Sequence, residues 1–203
     1  LKEKTSILCC EANNVEFFGL IFYEKSPRNI SYENAKELVN FSQKLRINPV
    51  GVFVDHDINS LKDIIIDLDL NYIQLHGYED QEYIDEIKKT FNIKIIKKHS
   101  IENKDDLINI NKINNIDYFL FDYKPSSGEL PGGNSKPFNW NLLKEAEIKL
   151  PWFISGGINE SNIKNIKKTI NPNGIDLSSG VEESLGKKSN KKINNLLKLF
   201  YEN

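Results

Sequence analysis

A carboxylate stands at the end of the most apolar segment of this chain and could take part in chemistry. Asp122 ends the run Tyr118–Phe121 and opens a loop rich in Gly, Pro and Ser over residues 123–137. An ionised carboxylate at the end of a buried strand must be solvated, paired or used in a reaction, because burying an unpaired charge is costly. Asp122 is therefore either a catalytic group or a structural one that caps the loop or pairs with Lys124 or Lys136.

Gly-rich segments follow two further apolar runs near the C-terminus. Ser155-Gly156-Gly157 precedes a predicted helix with Asn159 near its start, and Ser178-Ser179-Gly180 closes the last run. Backbone N–H groups exposed in such loops, together with the positive end of a helix, suit a phosphate group. The alternative is that these glycines only make tight turns. We expect a phosphate site at Gly156, Gly157, Ser179 and Gly180.

Weaker signals lie at the ends of other predicted strands. Arg28 could bind a carboxylate or phosphate through two hydrogen bonds, although most surface arginines are only solvated. Gln74 and His76 end another strand, and a single His is more often a core residue than a catalytic one. His56 and His99 do not complete a metal-ligand set with His76, so no metal site is expected.

The two cysteines, Cys9 and Cys10, lie within the first predicted helix and are expected to be small, buried apolar residues. Adjacent cysteines form neither a good structural disulfide nor a metal-binding framework. The charged residues 1–4 lack the apolar core of a signal peptide, which predicts a cytoplasmic protein.

Charge and length narrow the class of protein further. The 203 residues carry 27 Lys and Arg against 29 Asp and Glu, a net charge of -2. This balance argues against nucleic acid or an anionic membrane as a partner and leaves a small anionic ligand as the expected one. No apolar run approaches the ~18 residues of a membrane span. We expect a single domain over residues 1–203.

Segments of strand length and helix length alternate along the chain. The predicted strands are 17–22, 49–54, 72–77, 93–98, 118–121, 152–157 and 174–180. The predicted helices are 2–13, 31–46, 60–69, 80–91, 103–113, 140–147, one from 159 onward, and 188–202. Such alternation forces parallel pairing through right-handed crossovers, in either a doubly wound sheet or a closed (β/α)₈ barrel.

The prediction contains one helix more than it contains strands, because no strand precedes the first helix. A barrel of this kind closes with eight strands. The chain also contains no Met. We therefore expect a (β/α)₈ TIM barrel of which strand 1 is missing from the given chain, so that seven strands are visible.

The chain resembles phosphoribosylanthranilate isomerases, the (β/α)₈ enzymes of tryptophan biosynthesis, over essentially its whole length. The resemblance lies in six groups of segments that occur in the same order. The matching segments are Gly19–Tyr23 with Lys25–Arg28, Val50–Val54, Gln74–Gly77, Phe121-Asp122 with Pro131-Gly132-Gly133 and Phe138–Trp140, Ser155–Gly157, and Asp176–Glu182. The resemblance implies a cytoplasmic monomer or homodimer that acts on a small phosphorylated substrate without metal or cofactor.

The implied reaction is an Amadori rearrangement of N-(5-phosphoribosyl)anthranilate to 1-(2-carboxyphenylamino)-1-deoxyribulose 5-phosphate. A general acid protonates the furanose ring oxygen, and a general base removes the proton from C2. By position, Asp122 matches the acid, Arg28 matches the arginine that holds the anthranilate carboxylate, and Asp176 matches an acidic residue near the substrate. The phosphate would rest on backbone amides around Gly156-Gly157 and Ser179-Gly180.

The chain departs from the family at the base. The family's base is a Cys in a Lys-Ile-Cys-Gly segment on strand one, which is absent here. Cys9 and Cys10 lie on the following helix, outside the barrel, and cannot replace it. We therefore expect the full-length protein to be an isomerase and the chain as given to be inactive or nearly so.

Two other hypotheses remain open on the sequence. The first is another phosphate-binding barrel enzyme similar to indole-glycerol-phosphate synthase, for which Lys97 or Lys98 is a partial match. The second is a binding protein for a phosphorylated ligand that has lost catalysis.

Overall fold

The computed structural model describes residues 1–126, 128–129, 132 and 136–201. Seven parallel strands form one sheet in chain order. They are β1 Phe17–Phe22, β2 Asn48–Phe53, β3 Tyr72–Leu75, β4 Lys94–Ile101, β5 Tyr118–Tyr123, β6 Trp152–Ile154 and β7 Gly174–Ile175. A separate antiparallel hairpin consists of β8 Glu182–Ser184 and β9 Lys187–Lys188.

Helices cover one face of the sheet. The α-helices are α1 Lys4–Ala12, α2 Tyr32–Ser42, α3 Ile58–Asp67, α4 Gln81–Thr90, α5 Asn141–Lys144, α6 Ile163–Thr169 and α7 Asn190–Tyr201. Three short 3₁₀ helices cover Lys104–Leu107, Ile110–Lys112 and Ser179–Val181. None of the helices in these described ranges is long and apolar enough to cross a membrane.

Capping side chains start three of the helices where the sequence changes from polar to periodic apolar residues. Ser31 accepts a hydrogen bond from the backbone N–H of Asn34 and so caps the start of α2. Asp57 and Asp80 cap α3 and α4 in the same way. The apolar stripes of these amphipathic helices pack on outward-facing strand residues, all of them buried: Leu20, Phe53, Ile73, Ile95, Phe119 and Ile154.

The sheet curls, so that its other face becomes an interior. The ring of Phe17 on β1 lies 4.9 Å from the ring of Tyr72 on β3 and 6.0 Å from that of Phe153 on β6, centroid to centroid. Val50, Leu120 and their neighbours form a second apolar cluster on this inner face. The predicted parallel α/β fold with seven strands is confirmed, and a flat doubly wound sheet is wrong because the strand order never reverses.

The two edge strands do not meet. In the described part of the chain, β2 is the only named strand that pairs with β1, and β6 is the only one that pairs with β7. A cavity continues between these edges and is lined there by Leu1, Phe17 and Ile175. The N-terminal amine of Leu1 donates a hydrogen bond to the carbonyl of Gly19 on β1, at 2.5 Å.

The predicted helix over 103–113 is wrong. The segment forms two 3₁₀ turns, because its Asn and Asp side chains bond locally to the backbone. Asn103 accepts from the N–H of Asp105, and the carboxylate of Asp106 accepts from the N–H groups of Glu102 and Asn103. These bonds replace those of a continuous α-helix.

Three predicted boundaries near the C-terminus also differ. The helix over 140–147 is one turn, the strand over 174–180 ends at Ile175, and the helix over 188–202 begins at Asn190 because residues 182–188 form the hairpin. At Gly180 the chain packs so closely on the loop after β6 that a Cβ atom would lie 1.9 Å from the carbonyl oxygen of Ile158. Residues 179–181 form a 3₁₀ helix here and do not continue the strand. Residue 202 is outside the described residues.

Candidate active site

Strand alternation places polar side chains on the inner face at the carboxyl ends of the strands. Residues two apart share a face of a strand. The inner face carries Tyr72, Leu120 and Phe153. Two residues further along each of these strands, the same face carries Gln74, Asp122 and Ser155, all of which are buried. The inner surface therefore changes from apolar to polar toward the end of the sheet where active sites of parallel α/β barrels are built.

A cavity of about 490 Å³ opens at this polar end. It continues along the opening between β1 and β7. The polar residues that line it include Arg28, His76, Asp122, Gly157, Asp176 and Ser179. The structure thus brings six of the seven predicted site residues around one cavity: Arg28, Asp122, Gly156, Gly157, Asp176 and Ser179. The seventh, Gly180, lines a second cavity next to Ser179.

Asp122 lies beside a histidine that is itself oriented. The Nε2 atom of His76 is 3.6 Å from Oδ2 of Asp122, and the backbone N–H of Tyr123 donates to Oδ1 at 2.8 Å. The amide nitrogen of Gln74 lies 2.8 Å from Nδ1 of His76. Because an amide nitrogen can only donate, Nδ1 is the acceptor and Nε2 carries the proton that faces Asp122. His76 is therefore part of the site, contrary to its interpretation as a core residue.

The predicted alternative of an ion pair between Asp122 and Lys124 or Lys136 is wrong in the described part of the chain. Lys124 pairs with Asp106, with 3.1 Å between Nζ and Oδ1, and Lys136 pairs with Glu129. Neither lysine forms an ion pair with Asp122. The carboxylate is therefore available to the cavity.

A second carboxylate, Asp176, follows β7 directly and lies in the electrostatic field of the first. Its backbone N–H donates to the carbonyl of Ile154, which holds it at the end of the sheet. Burial raises the pKa of Asp176, the nearby His76 opposes this effect, and the charge of Asp122 adds to it. Asp176 is thus protonated more readily than an exposed carboxyl group, and a pair of this kind can hold and transfer a proton.

The loops after β6 and β7 form a second, smaller cavity of about 100 Å³. It is lined by Gly157, Asn159, Ser179 and Gly180, which include three of the four residues predicted to bind phosphate. Gly156 and Gly157 have φ angles of +86° and +61°, a region that glycine enters without strain. The turn is held by the side-chain amides of Asn159 and Asn162, which donate to the carbonyl of Gly157.

The helix predicted beside this site starts later than expected, after a turn in which the carbonyl of Asn159 accepts the N–H of Ile163 and its Oδ1 accepts the N–H of Ser161. Helix α6 begins at Ile163, four residues beyond Asn159, and its N-cap Asn162 makes no capping bond. The backbone N–H groups of the two loops can still bind an anion. Among the described residues, those of Gly157, Ser179 and Gly180 have no hydrogen-bond acceptor. These donors suit the oxygen atoms of an anion.

Arg28 is buried and held by a carboxylate that the sequence analysis did not assign. Its Nε and Nη2 atoms donate to the two carboxylate oxygens of Glu182, at 2.7 and 2.8 Å. Lys188 donates to Oε1 of Glu182 at 3.0 Å and to the carbonyl of Ser178 at 2.9 Å. Burial alone would raise the pKa of Glu182, but the bonds from Arg28 and Lys188 outweigh it and lower the pKa to about 2.

Comparisons with known proteins agree on one family. The model of the family described as "N-(5'phosphoribosyl)anthranilate (PRA) isomerase" matches residues 1–199. The N-(5'-phosphoribosyl)anthranilate isomerase of Chelativorans sp. (strain BNC1) is 36% identical over 190 residues, which are 93% of this chain and 87% of that protein. The chain belongs to this family. It is therefore an isomerase of tryptophan biosynthesis.

Solved structures of the family share the fold. A phosphoribosyl anthranilate isomerase in complex with reduced 1-(o-carboxyphenylamino)-1-deoxyribulose 5-phosphate has a TM-score of 0.84 and 26% identity, covering 98% of this chain and 94% of that one. A structure of monomers made from the dimeric enzyme of Thermotoga maritima has a TM-score of 0.83 and 27% identity, with the same coverage.

Membership of the isomerase family decides against indole-glycerol-phosphate synthase as the activity. The structure agrees, since Lys97 is not available to a ligand. Its Nζ atom forms a buried ion pair with Glu79 at 2.5 Å and donates to the carbonyl of Gly77.

Neither Cys9 nor Cys10 has the properties expected of a catalytic base. Burial, followed by the neighbouring Cys9, raises the pKa of the Cys10 thiol to about 11. The Sγ atom of Cys9 contacts α7, 3.3 Å from Oδ1 of Asn194. Cys10 is buried as predicted, but it lines the opening between β1 and β7 and does not lie wholly outside the sheet. A thiol with a pKa that high is a poor base at neutral pH.

Two residues of one matching segment, Pro131 and Gly133, are outside the described residues. Gly132, between them, lies against the site. A Cβ atom there would be 2.4 Å from Nε2 of His76. This close approach explains a glycine at position 132 of the loop after β5.

Proposed function

We propose that the cavity binds N-(5'-phosphoribosyl)anthranilate and that Asp122, Asp176, Arg28 and the loops after β6 and β7 carry out its rearrangement. The observation that carries this proposal is the meeting of a carboxylate pair, a buried guanidinium and a cavity lined by backbone N–H groups around one volume. The bound ligand of the structural relative bears a carboxylate, a sugar chain and a phosphate. Each of these groups has a counterpart in the site.

Asp122 is proposed as the general acid. It would protonate the furanose ring oxygen, which opens the ring to a Schiff base between C1 and the anthranilate nitrogen. Loss of the proton from C2 then forms an enol that tautomerises to the ketose, so the reaction is a net isomerisation. The N–H of His76 faces the carboxyl group of Asp122 and orients it toward the cavity. The carboxyl group of Asp176 is a second group that can hold a proton in the same cavity.

The two ends of the substrate are proposed to bind at separate groups. The phosphate would accept hydrogen bonds from the backbone N–H groups of Gly156, Gly157, Ser179 and Gly180. The anthranilate carboxylate would bind Arg28. Because the Nε edge of the guanidinium is taken by Glu182, the edge formed by Nη1 and Nη2 is the one that a ligand carboxylate can use.

We further propose that an eighth parallel strand completes a (β/α)₈ barrel in the opening between β1 and β7. Both edge strands are unpaired there in the described residues, and the cavity continues between them. Unpaired backbone groups at two facing edges match the hydrogen-bonding pattern of one inserted strand. This strand would carry the general-base Cys that the family resemblance implies.

Measurements of ligand binding test the proposed binding site independently of catalytic turnover. Calorimetric titration of the 203-residue chain with reduced 1-(o-carboxyphenylamino)-1-deoxyribulose 5-phosphate should show one site, which inorganic phosphate occupies more weakly. Arg28→Lys should weaken binding of the reduced analogue and leave that of inorganic phosphate unchanged. If none of these ligands binds, the assignment of the site is wrong.

Measurements of turnover test the proposal that an eighth strand completes the active site. The chain alone should convert N-(5'-phosphoribosyl)anthranilate slowly or not at all. A version extended at its N-terminus by a strand containing Lys-Ile-Cys-Gly should convert it without release of CO₂. Binding without turnover in the extended version would favour the hypothesis of a binding protein that has lost catalysis.

We infer that the protein works in the cytoplasm as a monomer or homodimer, with no nucleic acid or membrane partner. The structural relative from Thermotoga maritima is a dimeric enzyme in its native form. Sedimentation of the purified chain at several concentrations distinguishes the two states.

A further inference from the structure

We propose that Glu182 is a positioning residue that holds Arg28 in the orientation required to select a substrate with a carboxylate on its aromatic ring. This inference rests on the proposed function of Arg28. It adds a specificity-determining role for the hairpin formed by β8 and β9.

The contact between the two residues is geometrically demanding. Two parallel hydrogen bonds of 2.7 and 2.8 Å join Nε and Nη2 of Arg28 to both oxygens of Glu182. The side chains are only 9% and 6% exposed. A planar guanidinium held along one edge cannot rotate, so the direction of its other edge is also set. The carboxylate thus orients the donors that remain for a ligand.

The hairpin is attached to the loop that carries Arg28. Gly186, in the turn between β8 and β9, has a φ angle of +80° and packs so closely on this loop that a Cβ atom would lie 2.9 Å from the carbonyl oxygen of Pro27. The hairpin therefore supports Arg28 both through its side chain and through its backbone.

Lys188 joins this unit to the phosphate side of the cavity. Its Nζ atom bonds both to Glu182 and to the carbonyl of Ser178, next to Ser179. Two cations, Arg28 and Lys188, share the single carboxylate of Glu182.

The experiment compares two ligands that differ only in the ring carboxylate. One is the reduced analogue 1-(o-carboxyphenylamino)-1-deoxyribulose 5-phosphate, and the other is the same molecule made from aniline. Glu182→Gln keeps the shape of the side chain but replaces one acceptor oxygen by a donor amide that faces Arg28. We expect this variant to bind the carboxylated ligand on the order of 10-fold more weakly. Binding of the aniline analogue and of inorganic phosphate should be unchanged.

Glu183→Gln is the matched control, because Glu183 lies on the same hairpin and its ion pair with Lys187 is exposed. It should bind both ligands as the wild type does. Unchanged phosphate affinity in Glu182→Gln shows that the variant is folded. Equal losses for both ligands, or no loss for the carboxylated one, would overturn the positioning role.

A double variant separates this inference from the proposed function. In Arg28→Lys, the further change Glu182→Gln should no longer alter the preference for the carboxylated ligand, since Glu182 acts only through Arg28. A preference that still depends on Glu182 in that background means that Glu182 contacts the ligand itself, which overturns the inference. If Arg28→Lys alone leaves the preference intact, the role of Arg28 in the proposed function is wrong.

Discussion

The Nε2 atom of His76 lies 3.6 Å from Oδ2 of Asp122. The first residue ends the third strand region and the second ends the fifth, so the contact spans the interior of the curled sheet. Gln74 sets which ring nitrogen of His76 carries the proton. A carboxyl group proposed as the acid thus faces the ring N–H of His76, and Lys124 and Lys136 are paired elsewhere.

Removal of the acidic group should slow the reaction and leave the fold intact. Asp122→Asn, in the version extended by the N-terminal strand, should reduce turnover by on the order of 10²-fold or more, the usual scale for a general acid. The rate of substrate consumption measures this, and the affinity for the reduced analogue serves as the control. Unchanged turnover would refute the role of Asp122.

The contact of His76 with Asp122 should contribute to turnover. His76→Leu in the same extended version should reduce turnover by on the order of 10-fold, because the polar ring nitrogen that faces the carboxyl group at 3.6 Å is lost. Added to Asp122→Asn, it should cause little further loss, since the two residues act as a unit. Independent, multiplicative losses in a double-mutant cycle would contradict the coupling.

Close packing at Gly180 should be required for phosphate binding. Gly180→Ala places a methyl group 1.9 Å from the carbonyl oxygen of Ile158, so the two loops must separate. We expect a loss of affinity for inorganic phosphate in titration calorimetry.

The matched control is Gly128→Ala. A Cβ atom at this position meets nothing within 4 Å, although its φ angle is +89°. The variant should lose about 1–2 kcal/mol of unfolding free energy through backbone strain and keep its phosphate affinity. A loss of affinity as large as that of Gly180→Ala would argue against the packing explanation.

The ion pair between Arg28 and Glu182 should make stability depend on pH. The pKa of Glu182 is lowered from 4.5 to about 2 in the folded chain. A lowered pKa stabilises the fold above pH 4.5, and that stabilisation is lost as the pH falls toward 2. With allowance for solvent in the neighbouring cavity, we expect about 2 kcal/mol at pH 7.

Urea unfolding of wild type and Glu182→Gln at several pH values measures this contribution. The difference in unfolding free energy between them should shrink as the pH falls from about 5 to 2. Glu183→Gln, which affects only an exposed pair with Lys187, should show no such trend. A difference that stays constant or grows in acid would show that the pair does not set the pKa.

The two cysteines should differ in reactivity. The thiolate is the reactive form, and the pKa of buried Cys10 is raised to about 11, whereas Cys9 is partly exposed. At pH 8, a disulfide reagent should therefore modify Cys9 before Cys10, as followed by mass spectrometry of peptides. In Cys9→Ser the remaining thiol should react slowly. Faster modification of Cys10 would contradict its assignment as a buried, inert residue.

Local patterns in the sequence determined the parallel α/β class, the seven strands and the positions of Asp122 and of the Gly-rich loops. Apolar periodicity and glycine turns are properties of a few consecutive residues, so they can be recognised without the fold. The same local reasoning failed over 103–113, where Asn103 and Asp106 bond to their own backbone and prevent a long helix.

Only the tertiary structure decided which charged groups meet. Arg28 and Glu182 are 154 residues apart in the chain, and no spacing in the sequence relates them. Their contact requires the curling of the sheet, which brings the loop after β1 next to the hairpin that follows β7. Likewise, Asp122 and Asp176 influence each other because the ends of parallel strands converge on one interior, where burial strengthens their interaction. The sequence could identify these residues as candidates, but only the curled arrangement of the strands determines which of them meet.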